Sequence, residues 1–401
     1  MPPLSTTGEF TTLVSEGPLI LLRPSPLPGI PPDAKKISCM RRRLALLGST
    51  SPSNRQGAYR GGMAGRCHVV VLNWNGRDSI RPCLQSVLHQ TYPSYRVVVV
   101  DNASTDGSRD VVRDEFPEVI FVPLPENLHF ARGTNAGLRE ALRDPECGFI
   151  ATLNNDTRVD PEWLAELVRM AGPRVGMVAS KMVFFDRPNV LNSTGVCIGP
   201  DGSAMDRGWN SVDEGQFDQA LDVFGPSAGA ALYRRDVLES VGLLDEDFLA
   251  YYEDLDLAWR TRLAGWEARF APRAIVHHKY SASYGSGNPM KTYLCERNRV
   301  WNLVQNYPWR YVTTGIPWNL VRVMAGPLPW NGSQVTAGRP TRGRFGKTAA
   351  AMARGRLDAY AGLPRALAKR RGREATSRVD VQTIGRWIRT YRVSMKDAVL
   401  A

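Results

Sequence analysis

The chain has 401 residues, a formal net charge of +12 and 43% hydrophobic residues, a composition typical of a soluble globular protein of one or two domains. No apolar run approaches the roughly 18 residues that a membrane-spanning helix needs. The positive charge is uneven, because Arg339–Glu374 contains eleven Lys and Arg against two acids. Such a patch suits nucleic acid or an anionic membrane surface.

The first 62 residues are rich in Pro, Ser, Gly and Arg and have no sustained helical or strand period. This composition predicts a disordered segment. The cysteines are scattered and form no Cys-x-x-Cys pair, and Cys67 and Cys147 fall in or beside predicted strands. Free cysteines used as small apolar residues indicate a reducing cytosol, so we expect a cytoplasmic protein.

From Cys67 onward, short apolar runs alternate with amphipathic segments. The predicted strands are 68–72, 97–100, 119–122 and 149–153. Helices are predicted near 79–88 and 111–116, and a loop predicted at 127–137 is followed by a helix to about Arg143. This β-α-β-α-β-α-β order predicts an α/β fold with a mostly parallel sheet and helices on both faces. Asn73-Trp74-Asn75-Gly76 follows the first strand and lacks the glycines of a dinucleotide-binding loop.

The fourth strand ends in Asn154-Asn155-Asp156, and Asp160-Pro161 then predicts a helix start. Ligands gather at the carboxyl ends of strands in open α/β sheets. The oxygen atoms of these side chains suit a hard cation, although such a triplet alone is more often a turn. A metal site here would neutralise a bound phosphate.

The second half mixes strands, predicted at 175–185, 190–198 and 225–233, with short helices. Five carboxylates crowd residues 245–254, more than a helix cap needs, and a helix is predicted to begin near Glu253 and to end at Gly265. A later strand runs into His277-His278, of which only one can face a given side of the sheet. Asn288-Pro289 predicts the start of a long helix through Tyr307.

Five motifs in this order resemble the family-2 inverting glycosyltransferases with a GT-A fold, and especially their rhamnosyltransferase-like and galactofuranosyltransferase-like branch. The motifs are Val70–Asn75, Val99–Ser104, Asn127–Gly137, Leu153–Asp156 and Tyr252–Asp256, and the resemblance spans about Cys67 to Tyr307. It implies a nucleotide-diphospho-sugar transferase, with a nucleotide-binding half at 63–160 and an acceptor-binding and catalytic half at 161–310.

The resemblance also implies roles for single residues. Asp254 matches the catalytic base, and Glu253, Asp256 and Tyr252 lie beside it on the acceptor side. Asp156 and His278 match the residues that hold Mn²⁺ or Mg²⁺ on the diphosphate. Asp101 matches the acid that binds the nucleotide base. The matching donor-binding positions as a group are Leu72, Asn73, Asn75, Asp101, Asn102, Arg132, Asn135 and Asn155.

One departure concerns Asn154, which stands where the family has the first acid of its Asp-x-Asp metal motif. An amide oxygen can ligate a hard cation but brings no charge, so metal contact would rest more heavily on Asp156. The implied donor is a dTDP- or UDP-sugar, and the implied acceptor is a lipid-linked or polysaccharide glycan of the cell envelope. The alternatives are a catalytically silent binding module of the same fold and a sugar-nucleotide nucleotidyltransferase.

The last part of the chain, 311–401, is predicted to be a basic, helical appendage. Met352, Leu357, Tyr360, Leu363 and Leu367 are spaced to share an apolar side, with Lys and Arg around them. One interpretation is an interfacial helix that docks residues 339–373 on an anionic membrane at the inner face of the plasma membrane. The other is a solvated basic tail. Nucleic acid is not expected, because no recognition motif accompanies the charge.

Overall fold

The computed structural model describes residues 65–279, 288–315 and 342–392, and of residues 342–345 it describes the backbone alone. The strands are β1 Arg66–Asn73, β2 Tyr95–Asp101, β3 Ile120–Pro123, β4 Cys147–Asn154, β5 Thr157–Val159, β6 Val175–Phe184, β7 Arg187–Ser193, β8 Val196–Ile198, β9 Ala204–Asp206, β10 Ala230–Arg234 and β11 Glu267–His278. The helices are α1 Arg77–Val87, α2 Ser108–Glu115, α3 His129–Leu142, α4 Trp163–Met170, α5 Arg235–Val241, α6 Glu253–Leu263, α7 Pro289–Asn306, α8 Arg342–Ala361, α9 Leu363–Thr376 and α10 Val381–Thr390.

The central sheet has the strand order β3-β2-β1-β4-β10-β6-β11-β5, with β7 paired to β6. The predicted parallel sheet is confirmed for β3, β2, β1 and β4, which pair in parallel. The sheet then continues through β10, which is antiparallel to both β4 and β6. Because β1 pairs in register with both β2 and β4, their carboxyl ends lie at one edge.

The apolar strands are buried on both faces because helices cover both sides of the sheet. Val69 and Val71 of β1 pack in the cluster that contains Ile80 of α1. Val70, between them in the chain, packs on the opposite face in the cluster that contains Leu138 of α3. The alternation of side chains along a strand thus divides the core into two layers.

Several predicted boundaries differ from the structure. Helix α4 begins at Trp163, two residues after Pro161, with Glu162 at its N-cap and no side-chain cap. The Asp160 carboxylate instead lies 3.2 Å from His277 Nε2. The strand predicted at 190–198 is broken after Ser193, where Gly195 adopts a φ of +119° that favours glycine. In the segment predicted as a strand at 225–233, β10 begins only at Ala230.

The basic C-terminal helices pack against the rest of the domain. Ala359 of α8 and Ala366 of α9 join a cluster with Phe248 and with Trp301 of α7. The prediction that the apolar residues of 352–367 share one side is therefore only partly correct. Leu363 and Leu367 pack against this cluster, whereas Leu357 and Tyr360 are 68% and 54% exposed.

Several cations of these helices pair with acids of the preceding segment. Arg356 Nε lies 3.1 Å from Glu296 Oε2, and Lys369 Nζ lies 2.7 Å from Asp247 Oδ2. Arg373 pairs with the fully buried Asp256. Part of the acidic cluster and part of the basic tail thus neutralise each other.

The two ends of the chain and two internal segments lie outside the described residues. The predicted disordered segment 1–62 lies outside the described residues, as do 280–287, 316–341 and 393–401. Within the ranges given above, no helix combines the length and the apolar character needed to cross a bilayer.

Candidate active site

Polar side chains meet where β1, β2 and β4 end. Asn73 of β1 lies beside Asp101 of β2 in the strand register. Its amide nitrogen donates to Asp101 Oδ1 at 3.2 Å and to Ser108 Oγ at 2.9 Å, and its Oδ1 accepts from Asn155 Nδ2 at 2.8 Å. Asn73 is fully buried. These bonds connect the loops that follow the three strands.

A cavity of about 340 Å³ opens beside these strand ends. Its lining includes nine of the residues singled out from the sequence, namely Leu72, Asn102, Asn154, Asn155, Asp156, Tyr252, Glu253, Asp254 and His278. Asp156 follows β4, Asp254 lies in the first turn of α6, and His278 ends β11. The tertiary fold thus brings three distant segments of the chain to one cavity.

Asp156 and His278 form a pair on one side of the cavity. His278 Nε2 lies 3.3 Å from Asp156 Oδ1, and His278 Nδ1 lies 2.9 Å from Asn192 Oδ1. If Nδ1 donates to Asn192, the neutral ring directs the lone pair of Nε2 toward the Asp156 carboxylate. Asp156 Oδ1 is buried and accepts no hydrogen bond from the described residues.

This arrangement fits a divalent cation. The cation would bind both the lone pair of His278 Nε2 and the buried Oδ1 of Asp156. Imidazole nitrogen and carboxylate oxygen are both accepted by Mn²⁺. Within the described ranges, no group of three or more His, Cys, Asp or Glu side chains is placed to hold a metal ion. A cation here would therefore take its remaining ligands from substrate oxygens, water or amide oxygens.

Asp254 lies on another part of the cavity wall, held by backbone donors. Its Oδ2 accepts from Ala228 N at 3.1 Å and its Oδ1 accepts from Leu255 N at 2.7 Å. Burial raises the pKa of Asp254, although these backbone bonds act against the rise. Burial, followed by the charge of Asp254, raises the pKa of Glu253 well above its ordinary value.

Asp256 is buried in the same helix but has different neighbours. Burial alone would raise its pKa, but Arg373 and Arg260 outweigh that effect and lower the pKa below its usual value. Its Oδ2 lies 2.8 Å from Arg260 Nε. Asp256 does not line the cavity. The pKa values of two acids that are two residues apart thus shift in opposite directions, because Asp256 is paired with cations and Asp254 faces the cavity.

The remaining predicted donor-binding residues lie outside the cavity lining. Asp101 is fully buried and its Oδ2 accepts from Ser104 N at 3.2 Å. Asn75 Oδ1 accepts from Thr105 N at 2.8 Å. Both residues stabilise the loops at the strand ends, and their donor-binding roles stay predictions.

Arg132 and Asn135, on α3, contact the segment that leads to α6. Arg132 Nε lies 3.4 Å from Glu246 Oε2. Asn135 is buried, donates to Leu244 O at 2.8 Å and accepts from Leu244 N at 3.1 Å. In the structure they connect α3 to the segment before α6, and contact with a donor stays a prediction.

Two charged residues of the cavity were missed in the sequence. Asp206 ends β9, and Lys291 lies in the first turn of α7. Burial raises the pKa of Asp206 to about 6, against a hydrogen bond from Ser193, and the Asp254 carboxylate adds to the rise. Neither residue belongs to a local motif, so only the tertiary structure reveals them.

Comparisons with known proteins agree with this architecture. The family described as Glycosyl transferase family 2 matches residues 68–242. The chain is similar to the O-antigen biosynthesis protein RfbC of Myxococcus xanthus, with 27% identity over 258 residues that make up 61% of this chain and 20% of RfbC. It is also similar to the N-acetylglucosaminyl-diphospho-decaprenol L-rhamnosyltransferase of Mycobacterium tuberculosis strain H37Rv, with 25% identity over 272 residues, 58% of this chain and 85% of that protein.

A solved structure shares the fold. GalNAc-T7, solved with UDP, GalNAc and Mn²⁺, superposes with a TM-score of 0.51 at 13% identity and covers 75% of this chain and 57% of its own. The predicted GT-A fold is confirmed by this likeness and by the family match. The chain spans only 20% of the length of RfbC. Residues 68–242 are similar to the Glycosyl transferase family 2 domain.

Proposed function

We propose that the chain transfers a sugar from a nucleoside-diphosphate donor to an acceptor hydroxyl, with inversion at the anomeric carbon. The observation that supports this most directly is the presence of Asp156, His278 and Asp254 on one cavity within a glycosyltransferase fold. A carboxylate at the proposed metal site and a second carboxylate on the same cavity meet the two needs of the reaction. The leaving diphosphate needs its charge neutralised, and the acceptor needs a base.

Asp254 is the proposed base. It takes the proton of the acceptor hydroxyl while the oxygen forms its bond to the anomeric carbon and the bond to the diphosphate breaks. Its carboxylate is fixed by the Ala228 and Leu255 N–H groups, and no cation of the described residues pairs with it as Arg373 and Arg260 do with Asp256. Burial raises its pKa, which makes it a stronger base once ionised.

Asp156 and His278 are the proposed protein ligands of Mn²⁺ or Mg²⁺, and Asn154 lines the same cavity and can add an amide oxygen. The bound cation would neutralise the charge that develops on the leaving diphosphate. Asn192 orients the His278 ring through Nδ1. Hydrogen bonds of this kind fix the tautomer of a metal-binding histidine.

We further propose a rhamnose-like or galactofuranose-like donor carried on UDP or dTDP, and a lipid-linked or polysaccharide acceptor of the cell envelope. The named activities of the two relatives, an L-rhamnosyltransferase acting on a diphospho-decaprenol and an O-antigen biosynthesis protein, support this choice. In this proposal residues 63–310 are the catalytic domain and 311–401 the basic appendage.

The exposed side of α8 is the proposed membrane contact. Leu357 and Tyr360 are exposed on it, and Arg354 of the same helix and Arg365 of the next helix, α9, have 79% and 71% of their side chains exposed. Apolar and cationic side chains together suit the interface of an anionic bilayer. The surface is narrower than the sequence predicts, because Leu363 and Leu367 pack inward.

A donor screen tests the central proposal. The protein is incubated with UDP-, dTDP- and GDP-sugars and a prenyl-diphosphate-linked sugar acceptor, with Mn²⁺, with Mg²⁺ or with EDTA, and released nucleoside diphosphate is measured. We expect metal-dependent release from one donor class that requires the acceptor. Donor binding without turnover under all these conditions would instead favour the catalytically silent binding module.

A further inference from the structure

The segment that leads into Asp254 has an unusual backbone. Leu249, Tyr251 and Tyr252 all have left-handed φ angles, of 65°, 66° and 74°. Leu249 also has a ψ of −64°, and Ala250 N donates to Phe248 O at 2.8 Å, which closes a three-residue γ-turn of the rare, strained form. We call residues 248–252 the catalytic loop.

Such a conformation needs support from its surroundings. Each non-glycine residue held with a left-handed φ costs on the order of 1 kcal/mol or more, and it persists only where neighbouring groups fix it. Tyr252 is the residue before α6, and its O accepts from Asp256 N at 2.9 Å as the helix starts. The path of the catalytic loop therefore determines where α6, and with it Asp254, begins.

One side chain of α7 binds most of this loop. Asn298 is fully buried, and its Nδ2 lies within hydrogen-bond distance of three carbonyl oxygens, those of Phe248 at 2.9 Å, Ala250 at 2.9 Å and Tyr251 at 2.7 Å. Two amide hydrogens are thus shared among three acceptors on both sides of the γ-turn. No other single side chain among the described residues has as many hydrogen bonds to this loop.

Arg297, the neighbouring residue, supports the entrance of the loop. Its Nη2 donates to Asp247 O and Phe248 O, each at 2.9 Å. Its guanidinium lies 4.4 Å from the centre of the Trp301 ring, and the Trp301 indole N–H donates to Ala359 O at 3.0 Å. The support of the loop thus extends through α7 to the C-terminal helix α8.

The position of Asp254 depends on this backbone. Within the described residues, its carboxylate accepts hydrogen bonds from the Ala228 and Leu255 N–H groups, and Leu255 belongs to the same first turn of α6. A shift of the catalytic loop would therefore move the carboxylate and one of its two donors together, relative to the rest of the cavity wall.

We propose that Asn298 is a positioning residue that holds the catalytic loop in its left-handed conformation and so places Asp254 for proton abstraction. This rests on the function proposed above. An amide is suited to the task because it offers two donors in one plane, whereas an aspartate at 298 would set a carboxylate against three carbonyl oxygens. Asn298 does not line the cavity, so its effect on the reaction is indirect.

The test compares Asn298→Asp and Asn298→Ala with matched variants one helical turn later. Asn302 is also on α7 and fully buried, and its Nδ2 donates to Gly202 O at 3.1 Å, away from the catalytic loop. Asn302→Asp and Asn302→Ala therefore remove a buried amide of the same kind. Thermal unfolding, kcat, KM for donor and acceptor, and binding of the nucleoside diphosphate with Mn²⁺ are measured for all four.

We expect the Asn298 variants to lose roughly 10- to 100-fold in kcat, as a small misplacement of a catalytic group does, while nucleoside diphosphate binding is retained. The Asn302 variants with a similar loss of thermal stability should retain kcat within about threefold. Equal losses of kcat in both sets, or full kcat in Asn298→Ala, would overturn the positioning role.

A second measurement does not depend on activity. Amide hydrogen exchange of the peptide covering 248–255 should accelerate in Asn298→Ala and remain unchanged in Asn302→Ala. If no donor is turned over by the wild type, the proposed function fails, but faster exchange at 248–255 still establishes the support of the loop. Unchanged exchange overturns the inference whatever the reaction is. Should Asn298→Asp not fold, Arg297→Lys removes donors to the same loop and should give the same direction of change.

Discussion

His278 Nε2 lies 3.3 Å from the buried Oδ1 of Asp156, although one residue ends β11 and the other follows β4. The adjacent His277 points away from the cavity, with its Nε2 3.2 Å from Asp160 Oδ1. The side chains of these two neighbouring histidines thus lie on different sides of the sheet. Of the two, only His278 is placed to share a cation with Asp156.

This difference gives a matched test of the metal site. His278→Ala should weaken Mn²⁺ binding in the presence of nucleoside diphosphate by roughly 10- to 100-fold, because one of the two protein ligands is lost. His277→Ala should leave Mn²⁺ binding unchanged. Isothermal titration of Mn²⁺ into the protein with UDP measures both. Equal affinities in wild type and His278→Ala would remove His278 from the site.

Replacement of the proposed base should separate binding from chemistry. Asp254→Asn should lower kcat by roughly 10²- to 10⁴-fold, the contribution of a positioned general base, while donor binding persists. Asp236→Asn is the control, since Asp236 also lies in the first turn of a helix, α5, but away from the cavity. Turnover of Asp254→Asn equal to that of Asp236→Asn would show that Asp254 is not the base.

The dependence of kcat/KM on pH should reflect the ionisation of the buried Asp254 carboxylate. Because burial raises the pKa of Asp254 above 3.8, the base becomes protonated, and kcat/KM falls, at a higher pH than for an exposed aspartate. The Asp254 carboxylate adds to the raised pKa of Asp206, so Asp254→Asn should lower the pKa of Asp206, which an NMR titration measures. An Asp206 pKa that does not move would show that the two carboxylates are not coupled.

The pairing between the C-terminal helices and the domain should contribute to stability. Arg373→Ala leaves the fully buried Asp256 with Arg260 as its remaining cation, and we expect a loss of about 2–4 kcal/mol in the free energy of unfolding. Arg371→Ala, at an exposed position of α9, should cost less than about 0.5 kcal/mol. Urea unfolding at neutral pH measures both.

The same pair predicts a pH effect on stability. The folded-state pKa of Asp256 is lowered, so its stabilising contribution is present above the unfolded pKa and is lost as the pH falls through the folded value. The difference between wild type and Arg373→Ala should therefore shrink in acid. A difference that is constant from neutral pH into acid would contradict the ionised pair.

The proposed membrane contact is testable by point substitution. Leu357→Glu combined with Tyr360→Glu should reduce binding to vesicles of anionic phospholipid at low salt, because both exposed side chains become charged. Neutral phosphatidylcholine vesicles serve as the lipid control. Deletion of 339–401 is less suitable, since it would also expose the buried Asp256. Vesicle binding that is equal in wild type and variant would contradict the contact.

The sequence by itself determined the alternation of strands and helices and the location of the polar residues that end them. Apolar runs such as Val69–Leu72, within an alternating pattern of strands and helices, predict strands covered on both faces, and the polar residues that follow them then lie at the carboxyl edge of the sheet. The roles of Asp156, Asp254 and His278 were implied by the family resemblance and stay predictions, although all three residues line one cavity.

Only the tertiary structure decided which distant groups neutralise one another and which remain open to the cavity. The acidic stretch near Asp245 and the basic helices near Arg373 are separate features in the chain, but they pair in space. Asp206, Lys291 and Asn298 carry no local signature, because their roles depend on neighbours supplied by other elements. Hydrophobic periodicity is a local property, whereas electrostatic pairing and backbone support depend on the complete fold.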